Sequence, residues 1–148
     1  MYQEENKMPS FFRFEDLRVY DKAVNFATWL TNLSRRARND NPIEKKFYKN
    51  IVNEATLTAL NIAEGSAKNK PAFAEQLKES KSNIRRVLVL STIGKNTNIL
   101  SEEEVDEIRN QMMEMTKMLG ALISSLQKNN TYNHEQQVDE NFFEPENN

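Results

Sequence analysis

Residues 39–67 read NDNPIEKKFYKNIVNEATLTALNIAEGSA, and this stretch carries a helix with both of its boundaries. Asn39, Asp40, Asn41 and Pro42 interrupt whatever precedes them, and Pro42 suits the first turn of a new helix, where its missing N–H costs nothing. Phe47, Ile51, Ala55, Thr58 and Ile62 then recur at spacings of three and four, which places them on one helical stripe. The helix should stop near Gly65 to Ala67. A stripe of this width, with polar residues on the other faces, needs partner helices on its apolar side.

The chain supplies three. Upstream, Phe14 to about Ala37 shows two apolar lines: Leu17, Tyr20, Val24, Ala27 and Leu30, and Val19, Ala23, Phe26, Leu30 and Leu33. Downstream, Pro71 opens a third helix with Phe73, Leu77, Ile84, Val87, Leu88 and Ser91, and Gly94 to Asn98 reads as the next break. Ser101 followed by Glu104 is a capping box, since each side chain can satisfy the other residue's amide. Val105, Ile108, Met112, Met115, Met118, Leu119, Leu122 and Leu126 follow it. Methionines 112, 113, 115 and 118 are read as core packing. Four helices of about 24 residues, each about 36 Å long, joined by short links, predict an all-α, up-down-up-down antiparallel four-helix bundle. No solenoid period repeats across them. The expected organisation is an N-terminal extension at 1–13, the bundle at 14–128 and an acidic tail at 129–148.

Composition agrees with helices. The 148 residues include only 3 Gly and 4 Pro, too few to punctuate a sandwich or a Gly-rich α/β fold. Absent cysteine removes disulfides and zinc-thiolate sites and suits a reducing compartment. No apolar run approaches a membrane span and the first ten residues do not resemble a signal peptide, so a cytoplasmic protein without membrane contact is expected. The 20 Lys and Arg face 22 Asp and Glu, but Glu135, Asp139, Glu140, Glu144 and Glu146 lie in residues 129–148, which hold no cation. Residues 1–128 therefore carry 20 cations against 17 carboxylates. The tail reads as solvated chain or as a short docking motif around Phe142, Phe143 and Pro145.

Catalytic constellations fail in turn. A di-metal carboxylate bundle needs Glu-x-x-His pairs, and the only histidine, His134, lies in the tail. Gly65, Gly94 and Gly120 build no phosphate loop, and no histidine base stands inside the fold for a Ser or Thr nucleophile. Glu75 and Glu79, at i, i+4 on a polar face, read as solvated. No enzymatic activity, metal or cofactor is expected.

Asn61-Ile62-Ala63-Glu64-Gly65 admits a plain account in which Ile62 and Ala63 pack inward, Glu64 pairs with Lys68 and Gly65 begins the exit. The string, with Phe14-Glu15-Asp16-Leu17 before it and Phe73 and Leu77 after it, also resembles the four-helix proteins of the 23S rRNA intervening-sequence family over about residues 12–128. The resemblance implies a left-handed bundle, assembly into a homopentamer and no catalysis. It also implies kinship with accessory variability proteins of diversity-generating retroelements, where a basic surface is thought to engage nucleic acid and a reverse transcriptase. The chain departs from the family strings in two places. Asn53 and Glu54 precede Leu57-Thr58-Ala59-Leu60 where the family usually has basic residues and Ser-Ile-Pro-Ala, and Asn83-Ile84-Arg85-Arg86 replaces Ser-Leu-x-Glu.

Charge placement tests nucleic-acid binding separately. Where helices 1 and 3 end and helices 2 and 4 begin, Arg35, Arg36, Arg38, Lys45, Lys46, Lys49 and Lys95 meet Asp40, Glu44, Glu102, Glu103, Glu104, Asp106 and Glu107. That end is neutral and its arginines should be paired. On helix 3, Lys68, Lys70, Lys78, Lys81, Arg85 and Arg86 face only Glu64, Glu75 and Glu79, and 78, 81 and 85 share a helical face. Those six residues are the candidate nucleic-acid contacts, against a solvated polar face. RNA or DNA binding by an oligomeric accessory protein is expected, with a structural or protein-interaction module as the alternative. Val19, Phe26 and Leu33 are the candidate oligomer contacts, as the surplus apolar line of helix 1.

Overall fold

The computed structural model describes residues 8–131, and no strand occurs among them. A short 3-10 turn, Arg13–Asp16, precedes four helices: α1 Arg18–Ser34, α2 Pro42–Ser66, α3 Lys70–Asn96 and α4 Glu102–Thr131. Each helix packs on the next, and α1 closes against α4. Cross-links between helices fix their directions. Lys22 meets Glu114 at 2.8 Å and Arg36 meets Glu104 at 2.6 Å, so α1 and α4 run oppositely. Lys95 and Glu102 join the end of α3 to the start of α4 at 3.9 Å. The architecture is the expected antiparallel four-helix bundle.

The helix starts follow the residues that cap them. Asn41 Oδ1 accepts from the Glu44 N–H at 3.0 Å, with Pro42 in the first turn, and Asn69 Oδ1 accepts from Ala72 N–H at 3.0 Å. The capping box forms reciprocally, Glu104 N–H to Ser101 Oγ at 3.1 Å and Ser101 N–H to Glu104 Oε1 at 2.9 Å. Leu30, Ile51, Ile62, Leu77, Ile84, Ile108, Met112, Met115 and Leu119 fill the interior. Met118 packs at its edge, whereas Met113 faces solvent and is no part of the core.

Three features differ from the sequence expectation. Helix 1 begins at Arg18 rather than Phe14 and ends at Ser34 rather than Ala37. The preceding segment is tied down otherwise: Ser10 N–H donates to Asp16 Oδ2 at 3.2 Å, the Phe14 ring packs edge-on against Tyr20 at 5.0 Å, and Leu17 is extended at φ −82°, ψ 125°. The break expected at Gly94 to Asn98 falls at the end of that stretch: helix 3 runs on through Gly94 to Asn96, and Asn98, at φ 63°, makes the turn. Gly94 is a packing glycine, since a Cβ there would stand 2.5 Å from Phe47 Cζ and 2.9 Å from Leu100 Cδ1.

The third concerns the proposed subunit contacts. Val19 and Phe26 are each 4% exposed, in line with Ala23 and Leu30 inside the core, and Leu33 packs against its edge. Val19 and Phe26 are thereby committed to the core of their own chain, whereas Leu33 stays half-buried. The line left over is the other one. Tyr20, Val24 and Ala27 are half-buried and, with Phe14, line an open groove of about 500 Å³ whose far wall is Thr56, Ala59, Leu60 and Ala63 of α2.

Residues 129–131 belong to α4, so the helix runs slightly past the expected end of the bundle. The tail expectations from residue 132 onward, including His134, Phe142 and Phe143, lie outside the described residues, as do residues 1–7 of the N-terminal extension.

Candidate nucleic-acid interface

The seam between α2 and α3 carries a run of polar side chains. Gln76 Nε2 donates to Asn61 Oδ1 at 2.7 Å, Asn61 Nδ2 to Asn83 Oδ1 at 2.8 Å, and Asn83 Nδ2 to Glu54 Oε1 at 2.9 Å. Lys68 Nζ donates to Gln76 Oε1, completing a ladder with a cation at one end and a carboxylate at the other. Beneath it, Ser80 Oγ donates to the Thr58 carbonyl at 2.9 Å. Each amide is oriented by the next, so a slip of α3 against α2 would orphan several half-buried groups together. The ladder thereby sets helix register.

This arrangement accounts for the Asn61–Gly65 string. Asn61 is the ladder's middle rung, Ile62 is fully buried, and Ala63 lines the α1–α2 groove. The expected Glu64–Lys68 pair does not form: Glu64 is exposed and Lys68 turns to Gln76. Gly65 stands at the exit as expected, one residue before the end of α2, but it is also buried, and a Cβ there would lie 2.7 Å from Gln76 Cβ and 2.9 Å from Phe73 Cδ1. The glycine lets α3 approach close enough for the ladder to close.

The six candidate cations do not form one surface. Lys68 and Lys70 are exposed at the start of α3. Lys78 is half-buried with Glu75 Oε2 at 3.4 Å. Lys81 is only 7% exposed, which removes it from any nucleic-acid contact surface and interrupts the 78, 81, 85 line. Its position explains this: Leu77 and Ile84, four before and three after, are both in the core. Arg85 and Arg86 are exposed, and neither is ion-paired among the described residues. Arg85 Nη2 donates to Ser82 Oγ at 3.1 Å. Both arginines line an open groove of about 530 Å³ between α2 and α3, with Asn50, Asn53, Glu54, Ser82, Val89 and Leu90. Asn53-Glu54 and Asn83 to Arg86 thus meet across one seam.

At the neutral end Arg36, Arg38 and Lys95 are ion-paired, whereas Arg35, Lys45, Lys46 and Lys49 form no ion pair among the described residues. Arg36 grips Glu104 with two hydrogen bonds of 2.6 Å, donates to the Tyr48 hydroxyl at 2.9 Å and reaches the Ile99 carbonyl at 3.1 Å. Arg38 pairs with Asp40 at 3.0 Å. The Arg36 hydrogen bond holds the Glu104 carboxyl below the usual carboxylate range, against partial burial, and the same bond raises the Arg36 guanidinium. Burial pushes the Tyr48 hydroxyl up, opposed by the Arg36 hydrogen bond. These groups knit α1, α2 and α4 together, and α1 gains a further tie where Lys22 lowers the carboxyl of Glu114.

Among the described residues, no group of three or more His, Cys, Asp or Glu could hold a metal ion, and no helix is long and apolar enough to cross a membrane. Fold and seam together define a four-helix bundle in which a polar ladder links α2 and α3. The chain matches the family model described as 23S rRNA-intervening sequence protein over residues 15–121, and it belongs to that family. No curated protein and no solved structure matches it.

Proposed function

We propose that this protein is a non-enzymatic, cytoplasmic accessory protein that binds RNA or DNA through the outer α2–α3 face. The observation that carries this reading is the placing of Arg85 and Arg86, exposed and not ion-paired among the described residues, on one groove with polar Asn50, Asn53 and Ser82, whereas Arg36 and Arg38 of the neutral end are ion-paired. Lys68 and Lys70 extend the positive field toward the start of α3, while Glu54 is a local counter-charge. Membership of the intervening-sequence family supports an accessory role, and kinship with retroelement accessory proteins would make a reverse transcriptase a suitable protein partner.

Two arginines and two lysines give few phosphate contacts per chain, hence weak, sequence-tolerant affinity that falls steeply with salt. Fluorescence anisotropy with labelled RNA and DNA should show binding at 50 mM salt and at least a tenfold loss by 200 mM. Arg85→Glu/Arg86→Glu should abolish it at unchanged helicity. Equal binding by the double variant would remove this face from consideration.

A second reading, a protein-interaction module that self-assembles, is favoured by the α1–α2 groove. Leu60 is 55% exposed there beside Tyr20, Val24 and Ala27, an apolar wall that a lone bundle has no use for. The family resemblance supports a homopentamer as that assembly, which would multiply the arginine pairs and raise avidity. Light scattering at micromolar concentration should give a multiple of the chain mass, and Val24→Glu/Leu60→Glu should reduce it to the monomer. Phe26→Glu is unsuited to this test, since it would disrupt the core. A monomeric wild type would sink the assembly.

A further inference from the structure

The α2–α3 groove has an apolar extension that phosphate binding does not use. On α3, Val89 is 61% exposed and Ile93 47%, one helical turn apart, and Leu90 lies between them in the groove wall. Arg85 and Arg86 precede this strip by one turn. The surface therefore presents an aliphatic half and a cationic half side by side. Its chemical complement is an acidic segment with bulky apolar side chains.

The chain contains such a segment. Residues 129–148 hold five carboxylates and no Lys or Arg, and the adjacent aromatics Phe142 and Phe143 stand between Glu140 and Glu144. We infer that the outer α2–α3 groove is the docking site of this chain's own C-terminal segment, with Phe142 and Phe143 on Val89, Leu90 and Ile93 and the flanking carboxylates facing Arg85 and Arg86.

Reach permits it. Because α4 runs opposite to α3, Thr131 ends beside the start of α3. Val89 lies nineteen residues along α3 from Lys70, about 29 Å at the helical rise. The eleven residues from Tyr132 to Phe142 span up to about 36 Å when extended. A tether of this length holds the segment near the groove at an effective concentration that free copies do not match at micromolar levels. The α1–α2 groove is the poorer fit, since among the described residues Arg35 is the only cation lining it. A docked segment would cover the two arginines proposed to meet phosphate and so would compete with nucleic acid.

The absence of cysteine makes a direct test simple. In the full chain, Asn147→Cys carrying a nitroxide should broaden the amide signals of residues 50–54 and 82–93 at least twofold more than those of residues 56–63, at low salt. The broadening should vanish in Phe142→Ser/Phe143→Ser, which leaves the bundle untouched, and in Arg85→Glu/Arg86→Glu. Equal broadening at both grooves, or none at low salt, would overturn the inference. So would equal broadening when nitroxide and isotope sit on different molecules, since the occupant would then be another copy. No nucleic acid is present in this measurement, so its failure is separable from failure of the nucleic-acid reading.

Discussion

Gly65→Val should lower the thermal midpoint by about 10 °C and loosen the α2–α3 seam. The modest part of the change is entropic and favourable, because Gly in a helix interior costs up to about 1 kcal/mol relative to Ala. Contact dominates it. A Cβ at position 65 would lie 2.7 Å from Gln76 Cβ, an atom fixed to its own backbone, and 2.9 Å from the Phe73 ring. Neither can yield by rotating a flexible tip, so α2 and α3 must separate. Overpacking of this kind costs about 2–3 kcal/mol, and a domain of this size loses about 4 °C per kcal/mol. Separation also stretches the Gln76–Asn61–Asn83–Glu54 ladder, whose bonds of 2.7 to 2.9 Å have little slack. Gly120→Ala is the control, because a Cβ there meets nothing within 4 Å and the change should raise the midpoint by a few degrees. Calorimetry on the two variants checks the contrast; equal midpoints would remove the close-approach role of Gly65.

What was legible in the sequence followed from period and caps. The buried stripe of α2 and the start of α4 stand where Phe47 to Ile62 and the Ser101–Glu104 box placed them. The start of α1 was not legible, because it depends on Asp16 holding the Ser10 amide and on Phe14 meeting Tyr20, contacts with no period. Two glycines have a second role that the sequence did not show. Glycine signals a helix end and a close helix crossing alike, and only the neighbouring chain decides between them. Gly65 and Gly94 serve crossings, with Gln76 and with Phe47.

The ladder was hidden differently. Asn61, Gln76 and Asn83 each look like solvated amides in isolation, and their pairing is a property of α2–α3 register. One local signal existed: Asn61 and Asn83 immediately precede Ile62 and Ile84, both core residues, so both amides stand at the margin of a buried stripe. The choice between the two apolar lines of α1 was not available from the sequence either. Both satisfy the helical period, and only the positions of α2 and α4 select Val19, Ala23, Phe26 and Leu30 for the core.

Lys81→Glu should destabilise the protein by about 3 kcal/mol, whereas Arg85→Glu/Arg86→Glu should leave the midpoint within about 2 °C of wild type. All three residues carry the same charge on the same helix, so charge alone cannot separate them. Burial does. At 7% exposure, flanked by core residues Leu77 and Ile84, Lys81 lays its stem along the interior, and it is not without a partner. A carboxylate in its place is shorter, reverses the interaction and must be desolvated without a matched donor. Lys81→Met keeps the apolar stem and removes the charge, so it should cost less than the Glu variant and bind nucleic acid as wild type does. The arginines, by contrast, stand in water, where reversal of charge changes the field and little else. Midpoints from circular dichroism and anisotropy titrations on the same four proteins should therefore fall into opposite orders: stability lost at 81 and binding lost at 85 and 86. A Lys81→Glu protein as stable as wild type but unable to bind would return Lys81 to the surface and restore the continuous cationic line that its spacing on α3 suggested.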